Sequence, residues 1–430
     1  MEPLTLRALW RQFLPLSVSD VTMVAGEPLV TTTLAHLPDG TDNLAATGVA
    51  KTLAILIESP IIMLLHASNA LGGAAASRAA LERFTILACV ALTAVMGLLA
   101  LPPVFALVAG NAMGLSPDLL ARGQGVLLLM APWPAAIAWR RFVQGQLIRH
   151  GLGGAVARGG LGRLAIVAGL LGAGWLAGLP GWAVAGFALA LGVVGEAVFV
   201  TVAARAAGVL TAPAPETQPG MPADLPGVWR FYWPLASSSV VVWGGRSLLI
   251  AIVARAADGP LALAAWPTAW ALVAVASNAT RMVQQIVIKH HADVPGRLLW
   301  AFAAQVGGLT SAGLLLLAAT PPGQALLVAF VGPDPDLLAA VTPVVALSAG
   351  LPALVALMNA AQGFLVAAGR TQVVTAAATA GTAALLAAAA AGVVVGLPGA
   401  SAAAAAMLVA LGVELGVLVA ARRPGASTPA

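Results

Sequence analysis

Residues 182–204, WAVAGFALALGVVGEAVFVTVAA, carry one charged side chain, Glu196, in an otherwise apolar run. A helix of about 20 such residues crosses the hydrocarbon core of a bilayer. Runs of this kind are read near 12–35, 44–70, 84–109, 119–147, 161–178, 182–204, 231–254, 262–287, 299–319, 337–367, 373–396 and 399–421. No water is present in lipid to satisfy backbone N–H and C=O groups, so each run has to close its own hydrogen bonds as a helix. The predicted fold class is therefore all-α, a polytopic membrane protein with twelve transmembrane helices. Apolar residues make up 60% of the chain and charged residues 9%, an excess that no soluble domain of this length needs. The net charge of +5 does not imply nucleic acid, because the cations fall mostly in short loops, where they set topology. Cys89 is the single cysteine, so no intrachain disulfide is expected. No cleavable signal peptide is read, since the first apolar run is too long and no small-residue cleavage site follows it.

The chain is an internal duplication. At an offset of 219, Trp10-Arg11 meets Trp229-Arg230, Pro15-Leu16 meets Pro234-Leu235, and Pro102-Pro103 meets Pro321-Pro322. One deletion later the offset is 218: PDLLA at 117–121 meets PDLLA at 335–339, and Gln144-Gly145 meets Gln362-Gly363. Glu196 likewise meets Glu414. The expected domains are a six-helix bundle over 1–205, a Pro-rich cytoplasmic linker over 206–228, and a second six-helix bundle over 229–430. An even number of passes in each half makes the two halves parallel repeats, an architecture that suggests transport by alternating access.

Arginine and lysine set the expected orientation. With the N-terminus inside, the cytoplasmic segments hold Arg7, Arg11, Arg78, Arg83, Arg149, Arg158, Arg163, Arg205, Arg230, Lys289, Arg297, Arg370, Arg422 and Arg423. The outer side holds only Arg122 and Arg255, beside Asp39, Asp42, Asp118, Asp258, Asp334 and Asp336. Both termini are therefore expected in the cytoplasm, with the protein in a cell membrane, a bacterial inner membrane by expectation.

A short set of charges remains inside the spans: Asp20 and Glu27, Lys51 and Glu58, Arg246, Arg281, Glu196 and Glu414, with Arg140 and Arg141 in the inner third of the fourth span. Each costs about 2.5 kcal/mol or more at the bilayer centre unless it meets a cavity or a partner. Asp20 and Glu27 are seven apart and share a helix face, as do Lys51 and Glu58. At ~1.5 Å per residue, Glu27, Lys51 and Arg246 lie roughly 10–12 Å from the outer helix end, and Asp20 and Glu58 roughly 21–23 Å. Arg246 is the repeat partner of Glu27. Two readings stand together: ion pairs of Glu27 with Lys51 and of Asp20 or Glu58 with Arg281, or groups that handle substrate. Arg246, Arg281, Lys51 and Glu27 are the candidate substrate-binding residues. Asp20, Glu58 and Glu27 are the candidates for ion or proton coupling, with Asp20 and Glu58 able to share a proton if close. For Glu196 and Glu414, packing or a hydrogen bond to a neighbour serves as well as function. The Gln-Gly pairs suggest close backbone approach. Pro28 and Pro60, next to acids, mark bends. His66, His290 and His291 have no metal-ligand spacing, and no phosphate-binding G-x-x-x-x-G-K-[ST] or H-E-x-x-H motif occurs, so neither cofactor nor metal nor enzymatic activity is expected.

Two six-span halves, each opening on an aromatic-rich Pro-Leu, resemble the multidrug and toxic compound extrusion (MATE) fold of the polysaccharide-exporter flippase (MOP) superfamily. GEP at 26–28, LAATGVA at 44–50, ESP at 58–60, WRRFVQGQLIRHG at 139–151 and FYWPLA at 231–236 followed by Arg246 resemble its progressive ankylosis protein-like branch. The resemblance implies two bundles around a central cavity and export of small anions such as pyrophosphate, citrate or nucleotides. Drug-extruding relatives imply cations exchanged for protons or sodium through an acid of the first helix; here that acid is Glu27, but its neighbours depart from the drug-pump pattern. Lipid-linked substrate flipping is a third reading. The expected partners are a small, anionic molecule, a coupling proton or sodium, and membrane lipids around a monomer, with no nucleic acid.

Overall fold

The computed structural model describes residues 5–217, 221–368 and 370–422, apart from the side chains of Pro15, Leu16, Ser19, Asp20, Thr22, Met23, Ala112, Pro234, Leu235, Ser238 and Thr371. All regular structure among these residues is helical. Ten helical stretches among the described residues are long and apolar enough to cross a membrane. The chain is a multi-pass membrane protein. The other two expected passes, the first and the seventh, are the helices that open each half. The first is divided into Leu6–Val24 and Gly26–Ala35. Pro28 explains the division, because its ring opposes the carbonyl four residues back, that of Val24, where the first segment ends. The seventh runs as one helix, Leu225–Val253, of which Ser239–Val253 forms a shorter apolar stretch. The third expected span, 84–109, ran through two prolines. The helix instead starts at Ala75 and stops at Leu99, ahead of Pro102.

The duplication is visible in the helix bounds. Gly40–Glu58 and Gly259–Asn278 begin at the offset of 219, and Gly153–Leu176 and Thr371–Val394 begin and end at the offset of 218. Both halves break their second pass at the same point. In the first half the helix yields to a short 3-10 turn, Ser59–Ile61, at Pro60, and resumes at Leu64–Leu71. In the second half it stops at Asn278 and resumes at Val283–His290, although Ala279 stands where the first half has proline.

The chain falls into two compact units. One unit holds residues 1–36, 40–45 and 248–430. The other holds 37–39 and 46–247. Each therefore combines the opening helix of one half with most of the other half. In the first unit, Leu9 and Phe13 are buried with Val283, Val287, Leu299 and Phe302. Trp10, Phe13 and Phe302 meet edge to face at 5.5–5.6 Å between ring centres. In the second unit, Tyr232 is buried against Phe84 at 5.2 Å. Each opening helix also supplies a hydroxyl to the break in the second pass. Ser17 Oγ donates to Ala279 O at 2.7 Å, and Tyr232 Oη donates to Pro60 O at 2.6 Å. Ala279 and Pro60 are repeat equivalents. Val283 N–H donates to Thr280 O, leaving Ala279 O for the hydroxyl.

The linker is not wholly detached. Ala75 and Ala76 N–H groups, at the start of their helix, donate to Pro215 O and Glu216 O at 2.9 and 3.0 Å, and Arg78 donates to Ala212 O at 3.0 Å. A cavity of about 530 Å³ opens there, lined by Asn69, Arg78, Arg149, His150 and Pro213–Pro215.

Asp334, outside the spans, caps the helix Pro335–Ser348 by accepting from the Asp336 and Leu337 N–H groups, and it accepts from Thr41 Oγ1. The Thr41 hydrogen bond holds its carboxyl below the usual range, against desolvation, with help from the two backbone donors. A depressed carboxylate stabilises above its unfolded value and loses that contribution as pH falls through its folded value. Thr41→Val is therefore expected to lower thermal stability at neutral pH by about 1 kcal/mol, with the difference from wild type closing as pH falls through the folded value of Asp334. Thermal unfolding in detergent, followed from neutral pH down until the carboxylates are protonated, checks this; a difference that persists unchanged at the acid end assigns it to packing.

Candidate functional site

The sequence-predicted residues divide between the two units. Asp20, Glu27 and Arg281 belong to one, and Lys51, Glu58 and Arg246 to the other. Glu27 and Lys51, expected as a pair, thus lie in different units, as do Glu58 and Arg281. The Asp20 side chain lies outside the described residues. Glu27 is half-buried in the first turn of Gly26–Ala35. Arg281 is exposed in the break before Val283–His290 and donates to Asn278 Oδ1 at 3.2 Å. Lys51 is half-buried on Gly40–Glu58. Arg246 lies over the ring of Trp243 at 4.7 Å, a cation–π contact one turn back on the same helix. Glu58 ends its helix and accepts from Trp133 Nε1.

A polar cluster gathers around Glu196. It is built in the second unit by the helices Trp133–Arg149, Gly153–Leu176 and Gly181–Ala206. Glu196 is 2% exposed and lies about 15 Å from the Ala206 end of its helix. Its Oε2 accepts from Arg140 Nη1, and its Oε1 accepts from Gln144 Nε2 at 2.9 Å. Arg163 Nη1 stands 3.9 Å from the same carboxylate. Arg140 and Gln144 are 3% and 1% exposed. Two guanidinium groups, those of Arg140 and Arg163, thus stand at the Glu196 carboxylate.

Two of the sequence readings are refined here. The hydrogen-bonded role left open for Glu196 and Glu414 is the observed one: Gln144 donates to Glu196, and its repeat equivalent Gln362 donates to Glu414 at 3.2 Å. The Gln-Gly pairs do mark close approach as well. A Cβ on Gly145 would come 2.5 Å from Leu65 O, and one on Gly363 would come 3.0 Å from Gln284 O. Arg163, by contrast, is not a loop charge. The fifth helix begins at Gly153, eight residues before the expected 161, which places Arg163 about 15 Å along it. A buried acid at 196 needed a partner, and that requirement was the available signal. Which cation supplied it was a matter of three-dimensional packing.

A buried pair of this kind is costly to break from one side. Arg140→Met, the residue type of the repeat equivalent Met358, is expected to destabilise the protein by about 3–5 kcal/mol. Adding Glu196→Gln in the same chain should recover most of the loss, because no uncompensated carboxylate is then left buried. Thermal unfolding of the two variants and of Glu196→Gln alone gives the double-mutant cycle. A double variant no more stable than Arg140→Met would show that the side chains do not act as a pair.

No family model matches the sequence, and no curated protein matches it. Solved structures do match in fold. A multidrug resistance MATE family transporter of the MOP superfamily, in an inward-facing conformation, superposes with a TM-score of 0.73 at 12% identity, over 93% of this chain and 92% of that one. A MOP superfamily transporter from Pyrococcus furiosus, described as having a binding pocket of reverse polarity, superposes at 0.62 and 13% identity over 95% and 96%. The lipid II flippase MurJ, in an inward closed conformation, superposes at 0.62 and 12% over 93% and 86%. At such identities the likeness is one of architecture, and the chain has the fold of the MATE and MOP transporters.

Proposed function

We propose that this protein is a secondary active exporter, working by alternating access, that moves small organic or phosphate anions such as pyrophosphate, citrate or nucleotides out of the cytoplasm. The fold and the internal repeat support transport. The observation that carries the anion reading is the excess of cations among the interior charges: Arg140 and Arg163 at Glu196, with Arg141, Lys51 and Arg246 in the same unit, and Arg281 in the other. A pocket of reverse polarity in one structural neighbour supports the same reading. In a low-dielectric setting such cations attract an anion far more strongly than they do in water. Glu27 is proposed to balance cations when no substrate is bound, because leaving buried positive charge unpaired is costly. Asp20 and Glu58 are proposed to carry the coupling proton or sodium. The progressive ankylosis protein-like branch, a monomeric state and cytoplasmic termini in a bacterial inner membrane belong to this proposal. The multidrug transporters among the structural neighbours favour a second reading, cation antiport through the same acids, and the flippase favours a third.

Inside-out vesicles containing the protein should take up labelled pyrophosphate or citrate. Arg246→Gln and Arg281→Gln should each lower that uptake at least tenfold at limiting substrate, about 1.4 kcal/mol in binding. Glu27→Gln should change substrate affinity, and Asp20→Asn the pH dependence. Uptake of a cationic dye with no anion ever carried would replace this reading with drug antiport. Movement of a lipid-linked substrate alone would replace it with flipping.

A further inference from the structure

The cavity between the linker and the helix ends carries charge of one sign. Arg78, Arg149 and His150 line it with Asn69 and linker residues 213–215, and no lining residue is acidic. All of them belong to the second unit. Among the described residues neither arginine forms an ion pair. Glu216, next to the lining, is exposed. Each guanidinium is instead steadied by one backbone carbonyl: Arg78 Nη1 donates to Ala212 O at 3.0 Å, and Arg149 Nη1 donates to Asn69 O at 2.8 Å. A guanidinium carries several further N–H donors, so most of each group remains for a ligand. His150 Nδ1 donates to Gln146 O at 2.8 Å, which leaves its Nε2.

Cations at the C-terminal end of a helix need no ligand, since they meet the negative end of its dipole. The duplication argues for more than that here. At the offset of 218, Arg149 and His150 correspond to Ala367 and Ala368, where the equivalent helix ends without either cation. At the offset of 219, Arg78 corresponds to Arg297, but Ala76 corresponds to Pro295. Proline has no N–H to donate. Ala76 N–H, with that of Ala75, instead holds the linker at Glu216 O and Pro215 O. The half that ties the linker across its helix ends is thus the half with the two extra cations. Because those two N–H groups are taken by the linker, an anion in the cavity is met by side chains rather than by the start of that helix.

We propose that this cavity binds one phosphate group between Arg78 and Arg149, with His150 beside it. Planar guanidinium groups offer paired donors that match phosphate oxygens. A volume of about 530 Å³ leaves room for a phosphate that carries a substituent. The group has two possible sources, a soluble phosphate compound or the headgroup of an anionic phospholipid. Arg149 ends the apolar stretch Pro117–Arg149, and Arg78 stands in the first turn of Ala75–Leu99, so the cavity lies at the level of lipid headgroups. Ile148 and Leu152, each 37% exposed, give the same rim an apolar border. A bound phosphate bridges the two helix ends and, through Arg78, the linker. The site does not rest on the exporter reading above.

The test uses the purified full-length protein in detergent, followed by thermal unfolding. One arm titrates inorganic phosphate against sodium chloride of matched ionic strength. The other titrates phosphatidylglycerol against phosphatidylcholine in mixed micelles without phosphate buffer. Wild type should be stabilised saturably in at least one arm, and Arg149→Gln should move the midpoint of that titration about tenfold to higher ligand. Arg149→Lys keeps the charge and should retain binding, which separates lost attraction from a lost fold. Arg205→Gln removes an exposed cation that does not line the cavity and should leave the midpoint in place. A response to inorganic phosphate assigns the site to a soluble phosphate compound, a response to phosphatidylglycerol alone assigns it to lipid, and a response to both assigns it to the phosphate group itself. Stabilisation in neither arm overturns the site. So does a shift in Arg205→Gln equal to that in Arg149→Gln, which reports general charge attraction. An unshifted Arg149→Gln also overturns it and leaves Arg149 as a helix cap.

Discussion

A helix that breaks inside a membrane exposes carbonyls that lipid cannot satisfy, and this constraint governs how the chain packs. Both halves break their second pass at one repeat-equivalent place. There Pro60 O and Ala279 O each receive a hydroxyl from the helix that opens the opposite half, Tyr232 in one case and Ser17 in the other. The donors are not repeat equivalents. Tyr232 corresponds to Phe13, one turn from Ser17 on the same face of the opening helix. The same requirement is thus met twice by different chemistry. Around each hydroxyl the opening helix buries aromatic surface, Trp10 and Phe13 against Phe302 in one unit and Tyr232 against Phe84 in the other. Satisfied carbonyl and buried ring together explain why each opening helix packs as it does.

Against this shared scaffold the charge is distributed unequally. The Gln–Glu hydrogen bond survives in both halves, which marks it as part of the common architecture. The arginines occur beside only one of the two pairs, with Met358, Asn359 and Gly381 in their places beside the other. Burying a guanidinium is expensive, and replacing a buried ion pair by apolar side chains is often neutral or stabilising. Glu414 is half-buried whereas Glu196 is 2% exposed, so the first half has the more deeply buried carboxylate to balance.

Much of the architecture was legible in the sequence because a bilayer leaves few options. Long apolar runs had to be helices, and Pro28 and Pro60 marked breaks that the helices show. The offsets of 219 and 218 predicted helix bounds that repeat almost residue for residue. Gly145 and Gly363 were legible as places of close approach, since no side chain fits there. The candidate site was less legible. Arg163 was counted among the cytoplasmic cations that set topology, and its place on Gly153–Leu176, packed beside the helix of Glu196, brings it to that carboxylate.

What the sequence by itself determined is the set of helices, their duplication and the presence of charges too costly to bury without purpose, because these follow from backbone hydrogen bonding and desolvation, which act locally along the chain. What only the tertiary structure decided is which partners those charges meet and which opening helix joins which unit. A linker between two like halves suggests that each half packs on itself, but the orphan carbonyl at each break takes its proton from whichever hydroxyl geometry brings within reach. Glu196 likewise could not name Arg140, Arg163 and Gln144 in advance, since three separate helices must pack before their side chains converge.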